Sequence, residues 1–266
     1  MLLQQSGVDV SADELVPQVY LPARKGSLQA EMLATGRRYQ RIPYRIDPTI
    51  RALTAELQAE RPVLVLQNLG LQSRPLWHYA VVIGYALEDD LVILRSGTRQ
   101  RQLMPGWLFL STWNSAGNWA MVLLQPGQLP ARPDRLRYLG AVASAEGHAD
   151  PAGILDAYDA ALDRWPDDAI ARFGRANALH ALGRLDEASK AYQQLIAGHP
   201  THIAALNNLA EVYADLGCPL QAQATITRAF SIIENDHPLY PVLADTRQHI
   251  RATAGSRDAP GCPGSP

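Results

Sequence analysis

A repeat of 34 residues in the second half of the chain limits its possible folds more than any other feature of the sequence. Three columns of residues keep this step without a slip: Tyr158, Tyr192 and Ile226; Ala161, Leu195 and Ala229; Pro166, Pro200 and Glu234. A unit of this length is typically a helix pair that cannot bury its apolar face alone, so neighbouring units must stack. The second half of the chain is therefore predicted to be an all-α solenoid.

The middle unit, 169–202, carries the most detailed pattern. It has Gly183 at the predicted turn between helices, a small Ala188 where the helices meet, and Pro200 at its end. With Leu185 and Tyr192, this pattern resembles the tetratricopeptide (TPR) repeat. We therefore expect repeats over 135–168, 169–202 and 203–236, with a capping helix completing a stack over 135–250. The remaining segment, 251–266, is rich in Gly and Pro and is predicted to be disordered.

The TPR resemblance implies a function for the first helix of each pair, because these helices usually line a concave groove that binds a peptide or a partner protein. The predicted binding residues are Phe173, Asn177, His180, Asn207, Glu211 and Asp215. The alternative is that these are ordinary solvated positions. A short polar match such as Asn207-Asn208 is too common in such repeats to decide between binding and solvation.

A proline-rich segment precedes the repeats. Residues 126–134 contain "PGQLPARP", which neither a helix nor a central strand tolerates, so we predict a linker there. Before it, in 1–125, helical and extended patterns alternate. Three apolar segments, "PVLVLQN", "WHYAVVIGY" and "LVILR", are predicted to be strands, and "NWAMVLL" adds a fourth. This indicates an α+β domain followed by the TPR solenoid.

The first domain resembles the papain-like cysteine peptidases, and among them the bacteriocin-processing peptidases that cleave leader peptides after a double glycine. The resemblance depends on Gly7 to Arg38, on "RPVLVLQNL" from Arg61 to Leu69, and above all on "WHYAVVIGY" from Trp77 to Tyr85. It covers roughly the first 125 residues and implies a papain-like α+β fold.

The resemblance also implies a catalytic mechanism. In that family a Cys thiolate attacks the peptide carbonyl, a His serves as general base, and an Asp orients the imidazole. His78 matches the family's His, and Ser96 stands where the Asp is usual. A Ser hydroxyl brings no negative charge, so activation through it would be weaker. The family's Cys, and the Gln that stabilises the oxyanion, precede everything present in this chain.

Composition excludes several other classes. The net charge of −2 shows no basic excess for binding nucleic acid, and no apolar run reaches the length of a membrane span. Two cysteines, Cys218 and Cys262, are too few for a disulfide framework, and neither is placed as a nucleophile for His78. We predict no cofactor and no metal site, although His199 and His202 lie three apart. No export signal is recognisable, and relatives of this type are often exported, so the compartment stays open.

Two hypotheses of different class remain. One is a papain-like peptidase whose Cys lies upstream of these 266 residues and whose TPR repeats recruit a substrate or partner. The other is a non-catalytic protein that kept the fold and binds peptides or links partners. Both predict a peptide or protein ligand, and neither predicts an oligomeric state.

Overall fold

The computed structural model describes residues 1–24, 26–253 and 262. It divides into two compact units, Met1–Gly153 and Ile154–Pro266. The boundary thus lies about twenty residues after the predicted linker 126–134, because the proline-rich segment and the helix after it pack within the first unit.

The first unit is built around one sheet of six antiparallel strands, in the order β1-β6-β2-β3-β4-β5. Its strands are β1 Ile42–Arg45, β2 Val63–Asn68, β3 Trp77–Ala86, β4 Leu91–Ser96, β5 Arg99–Pro105 and β6 Ala120–Leu124. Its helices are α1 Leu2–Gln5, α2 Ala12–Val19, α3 Gln29–Arg38, α4 Ile50–Gln58, α5 Gly106–Asn114 and α6 Arg135–Ala143. This is an α+β unit, as the sequence predicts.

Helices cover the sheet from both sides. Helix α5 packs against β2, and its Phe109 and Trp113 are fully buried. A separate cluster of Leu66, Trp119 and Met121 packs against Met32 and other side chains of α3 and the sheet. Burial on both faces explains why β2 reads as a continuous apolar run rather than as an alternation of apolar and polar residues.

The segment 126–134 is anchored rather than extended away from the unit. The backbone N–H of Ala131 donates to Glu56 Oε1 on α4 at 2.8 Å, and that of Asp134 donates to the Tyr44 hydroxyl on β1 at 3.2 Å. Helix α6 then packs on β1 and buries Tyr138. These contacts place α6, the predicted first helix of repeat 135–168, in the first unit.

The second unit is entirely helical in its described part. Its helices are α7 Pro151–Arg164, which begins at the boundary, α8 Ala169–Ala181, α9 Leu185–Gly198, α10 Ile203–Asp215, α11 Pro219–Phe230 and α12 Tyr240–Thr253. Helices α8 and α9 form one antiparallel pair, and α10 and α11 form the next. Fully buried alanines, Ala188 on α9 and Ala222 on α11, occupy the positions where the helices of each pair touch. Helix α12 contacts both α10 and α11.

The two cysteines form a disulfide between Cys218 and Cys262. Cys218 is the residue before α11, and both cysteines are buried. The sequence predicts no such bond. Apart from 251–253 and Cys262, the predicted disordered tail 251–266 lies outside the described residues.

Candidate functional site

His78 and Ser96, the two predicted catalytic residues, are brought together by neighbouring strands. His78 is the second residue of β3, and Ser96 is the last residue of β4. Their side chains meet at 2.7 Å between His78 Nε2 and Ser96 Oγ. The pair therefore occupies the end of the sheet where β3 begins and β4 ends.

The environment of His78 favours a neutral imidazole. Burial lowers the pKa of His78 below its usual value of 6.5, because a charged ring loses hydration there. The side chain is only half-buried, and its Nδ1 has no hydrogen-bond partner among the residues that the structure describes. A neutral imidazole with one ring nitrogen bonded and the other unbonded can accept a proton from a group placed beside it.

Asp89 and Asp90 do not bond to His78, and neither cysteine offers it a free thiol. Asp89 and Asp90 occupy the turn between β3 and β4, at the opposite end of these strands. The backbone carbonyl of Asp90 accepts from the N–H of Gly106, the first residue of α5. Cys218 and Cys262 belong to the second unit and are bonded to each other, so neither carries a free thiol.

Gln67 is a buried polar residue that the sequence analysis did not single out. It pairs with His78 in the sheet register and donates from Nε2 to Thr112 Oγ1 on α5 at 2.7 Å. This bond ties the strand beside His78 to the helix that covers it. A polar residue inside the apolar segment "PVLVLQN" is the signal that could have revealed it.

In the second unit, several predicted binding residues bond to neighbouring repeats. His180 on α8 meets Asp215 on α10 at 2.8 Å between Nε2 and Oδ2. Asn177 Oδ1 accepts from the Tyr192 hydroxyl at 2.6 Å and from Asn208 Nδ2 at 3.0 Å. The bonds to Asp215 and Asn208 join α8 to α10, and the bond to Tyr192 joins α8 to α9, so together they fix the orientation of these side chains.

Asn207 and Glu211 form a further polar cluster on α10. Asn207 is buried, and its Nδ2 donates to Glu211 Oε1 at 3.3 Å. The same Glu211 oxygen accepts from Thr246 Oγ1 on α12 at 2.8 Å. The cluster therefore joins the last repeat to the capping helix.

Phe173, the remaining predicted binding residue, packs on a histidine that caps a helix. The ring centroids of Phe173 and His202 lie 5.0 Å apart, and His202 Nδ1 accepts from the N–H of Ala205 at the start of α10. Burial lowers the pKa of His202, with a further lowering by nearby His199. Protonation of Nδ1 would remove the acceptor that the helix start uses.

This cap should make the stability of the second unit depend on pH. Because the pKa of His202 is lower in the folded than in the unfolded chain, stability present above pH 6.5 is lost as the pH falls through the folded value. The free energy of unfolding should therefore fall between about pH 7.5 and 5.5. We expect His202→Asn, which keeps a capping acceptor that does not titrate, to make this fall smaller by about 1 kcal/mol. Urea unfolding of both proteins at the two pH values measures this difference. Equal losses would show that the cap does not titrate.

The residues that the structure describes offer no evident metal site. Within the described ranges, no group of three or more His, Cys, Asp or Glu side chains is arranged to hold a metal ion. The same residues include no helix long and apolar enough to cross a membrane.

Comparison with known proteins identifies the repeats. The tetratricopeptide repeat family model matches residues 144–202 and, in an overlapping match, residues 181–222. These residues are TPR repeats, and the match begins after α6. The comparison with curated proteins gives no match.

Several solved structures are similar to part of this chain. The type III secretion chaperone SycD of Yersinia enterocolitica, in complex with a peptide of the translocator YopD, is 14% identical; the match covers 46% of this chain and 95% of that chain, with a TM-score of 0.42. The TPR2B domain of yeast Sti1 is 18% identical. The match covers 44% of this chain and 94% of that domain, with a TM-score of 0.40. A thermophilic TPR protein of Thermus thermophilus is 23% identical. The match covers 46% of this chain and 54% of that chain, with a TM-score of 0.32.

Proposed function

We propose that this protein handles peptides through two parts: a first unit related to the papain-like cysteine peptidases and a TPR unit that recruits the substrate or a partner protein. The contact of 2.7 Å between His78 Nε2 and Ser96 Oγ is the observation that carries the proposal for the first unit. It joins two residues, 18 positions apart, that the family resemblance pairs in one mechanism.

In this proposal His78 is the general base. Its lowered pKa keeps the ring neutral near pH 7, so it can take a proton from a thiol and later return a proton to a leaving amine. Ser96 is a positioning residue, because its hydroxyl bonds Nε2 and leaves Nδ1 for the reacting group. The thiol would have to come from outside the 266 residues, because both cysteines present are joined in a disulfide.

The TPR unit supports a binding role. Stacked repeats present extended concave surfaces on which partners bind. Here the polar side chains along α8 and α10 are held in fixed orientations by the bonds between Asn177, Tyr192 and Asn208, so a ligand would meet an ordered surface. The same surface supports the alternative function, a non-catalytic scaffold that binds peptides without cleaving them.

A cleavage assay separates the two functions. The 266-residue chain is expected to show no thiol-dependent cleavage of any peptide. The assay is repeated on a chain extended through any in-frame coding sequence upstream of Met1. If that extension contains a Cys preceded by a Gln, we expect thiol-dependent cleavage and a fall in kcat of about 100- to 10,000-fold in its His78→Ala variant.

Three results would count against the proposed peptidase mechanism. An in-frame stop directly upstream of Met1 favours the scaffold. Cleavage that persists unchanged in His78→Ala would remove His78 from the mechanism. Thiol-dependent cleavage by the 266-residue chain itself would show that the nucleophile has been misassigned.

A further inference from the structure

The loop between β2 and β3 exposes an unusual number of large apolar side chains. All of residues 69–77 are exposed, and four large apolar side chains lie among them: Leu69 at 43%, Leu71 at 72%, Leu76 at 62% and Trp77 at 56%. We call these four residues the apolar loop. Clustered exposure of this kind marks an interaction surface more often than scattered single residues do.

Hydrogen bonds hold the apolar loop in one shape. Asn68 Oδ1 accepts from the N–H groups of Gly70 at 3.0 Å and Leu76 at 2.9 Å, and the N–H of Leu69 donates to the carbonyl of Leu76 at 2.8 Å. A Cβ at Gly70 would lie 2.4 Å from the Arg74 carbonyl oxygen, so the backbone is closely folded there. The apolar side chains are therefore presented by an ordered scaffold, which lowers the entropy cost of binding.

Positive charge surrounds the apolar loop. Four exposed arginines lie between these residues or on the strands that turn at the same end of the sheet: Arg74, Arg95, Arg99 and Arg101. None of them forms a salt bridge with another residue that the structure describes. Residues 69–78 and 95–104 contain no Asp or Glu. The surface is thus apolar and basic, without acidic side chains of its own to neutralise it.

We propose that the apolar loop and these four arginines form a docking surface for a polypeptide segment that combines large apolar side chains with acidic ones. The apolar groups would cover Leu71 and Trp77, and the carboxylates would neutralise the unpaired arginines. Ser96, which bonds to His78, pairs with Arg99 in the sheet, so a segment bound to Arg99 lies near the imidazole. This inference rests on the proposed peptide-handling role and names the chemical class of the peptide.

Fluorescence anisotropy with the full chain tests the proposal. The probe is a short fluorescein-labelled peptide in which Leu and Phe alternate with Asp and Glu. One matched peptide has Lys in place of the acidic residues, and a second has Ser in place of the apolar ones. We expect the acidic apolar peptide to bind at least about tenfold more tightly than either matched peptide, and to weaken as salt rises.

Variants locate the binding surface. The double variant Leu71→Ser, Trp77→Ser should weaken binding at least about tenfold, because exposed aromatic anchors dominate such surfaces. Arg74→Gln with Arg99→Gln should weaken binding and reduce its salt dependence. Leu87→Ser is the matched control, because Leu87 is 82% exposed at the other end of the strands and should leave binding unchanged. Thermal unfolding confirms that each variant is folded.

Four outcomes would overturn the docking surface. The first is unchanged binding in both double variants, and the second is equal or tighter binding of the Lys peptide. The third is partitioning of the protein onto phosphatidylserine vesicles through the apolar loop with no peptide binding, which would assign the surface to a membrane. Binding lost in His180→Ala but retained in Leu71→Ser, Trp77→Ser would overturn the loop proposal and leave the TPR binding role standing.

Discussion

Replacing Gly174 with alanine is expected to lower the free energy of unfolding of the TPR unit by about 2 to 3 kcal/mol. Gly174 lies within α8, and the ring of Tyr158 from α7 rests against its Cα. A Cβ at this position would lie 2.1 Å from Tyr158 Cζ and 2.4 Å from Cε2. Tyr158 is 1% exposed, so its rigid ring cannot move away without disturbing the core between α7 and α8.

Urea unfolding followed by the fluorescence of Trp165, the tryptophan of the second unit, measures the loss. Gly198→Ala in α9 is the control, because nothing lies within 4 Å of a Cβ there and alanine favours a helix. In a Tyr158→Leu background the cost of Gly174→Ala should shrink, which a double-mutant cycle detects. An unchanged cost in that background would show that the clash involves other atoms.

The TPR repeats could be predicted from the sequence because their pattern is local and periodic. Helices α8 and α10 begin at Ala169 and Ile203, the first residues of the second and third predicted repeats. Helix α6 differs, because Asp134 and Arg137 at its start bond to Tyr44 and Asp47 of the first unit. A period along the chain cannot show which surface a helix will pack on.

The sequence predicts the first unit less completely. It gives no signal for strand β5, because this is an edge strand whose first residues, Arg99 to Gln102, are polar and carry no alternating pattern. Asp47 followed by Pro48 is a typical helix start, but α4 begins two residues later, because the Thr49 hydroxyl accepts from the N–H of Ala52 and caps it. Helix α5, rich in apolar and aromatic residues, is absent from the sequence-based prediction.

The candidate site could be predicted in part. The pairing of His78 with Ser96 follows from the family resemblance and not from spacing, since 18 residues and a turn separate them. The apolar loop could not be predicted, because Leu69, Leu71 and Leu76 read as core residues in a linear sequence. Their exposure depends on the bonds of Asn68, which turn the backbone away from the sheet.

Replacing Glu56 with alanine is expected to destabilise the first unit by about 3 kcal/mol. The Glu56 side chain is 2% exposed, and its carboxylate accepts from Arg61 Nε at 2.6 Å and from the N–H of Ala131 at 2.8 Å. Removing it leaves the Arg61 guanidinium and a backbone donor without their acceptor. Because Ala131 lies in the proline-rich segment, the loss should also release 126–134 from α4.

Two measurements follow these two effects separately. Urea unfolding monitored by tryptophan fluorescence reports the stability of the first unit, where Trp113 and Trp119 are buried. Limited proteolysis reports the proline-rich segment, which should become sensitive in Glu56→Ala. Glu56→Gln keeps an acceptor for Ala131 but loses the charge facing Arg61, so it should be less destabilised and stay protected. Glu88→Gln, in the exposed turn after β3, should change stability by less than about 0.5 kcal/mol.

The combination of outcomes decides what holds the segment in place. Loss of stability with the segment still protected would mean that Tyr44 and the packing of α6 retain 126–134 without Glu56. If segment 126–134 is cleaved while the stability of the first unit is unchanged, Glu56 anchors only that segment, which leads to α6. If Glu56→Ala matches the parent protein in both measurements, the buried carboxylate, including its ion pair with Arg61, makes no net contribution to stability, and the contacts of Tyr44 and α6 alone hold the segment in the first unit.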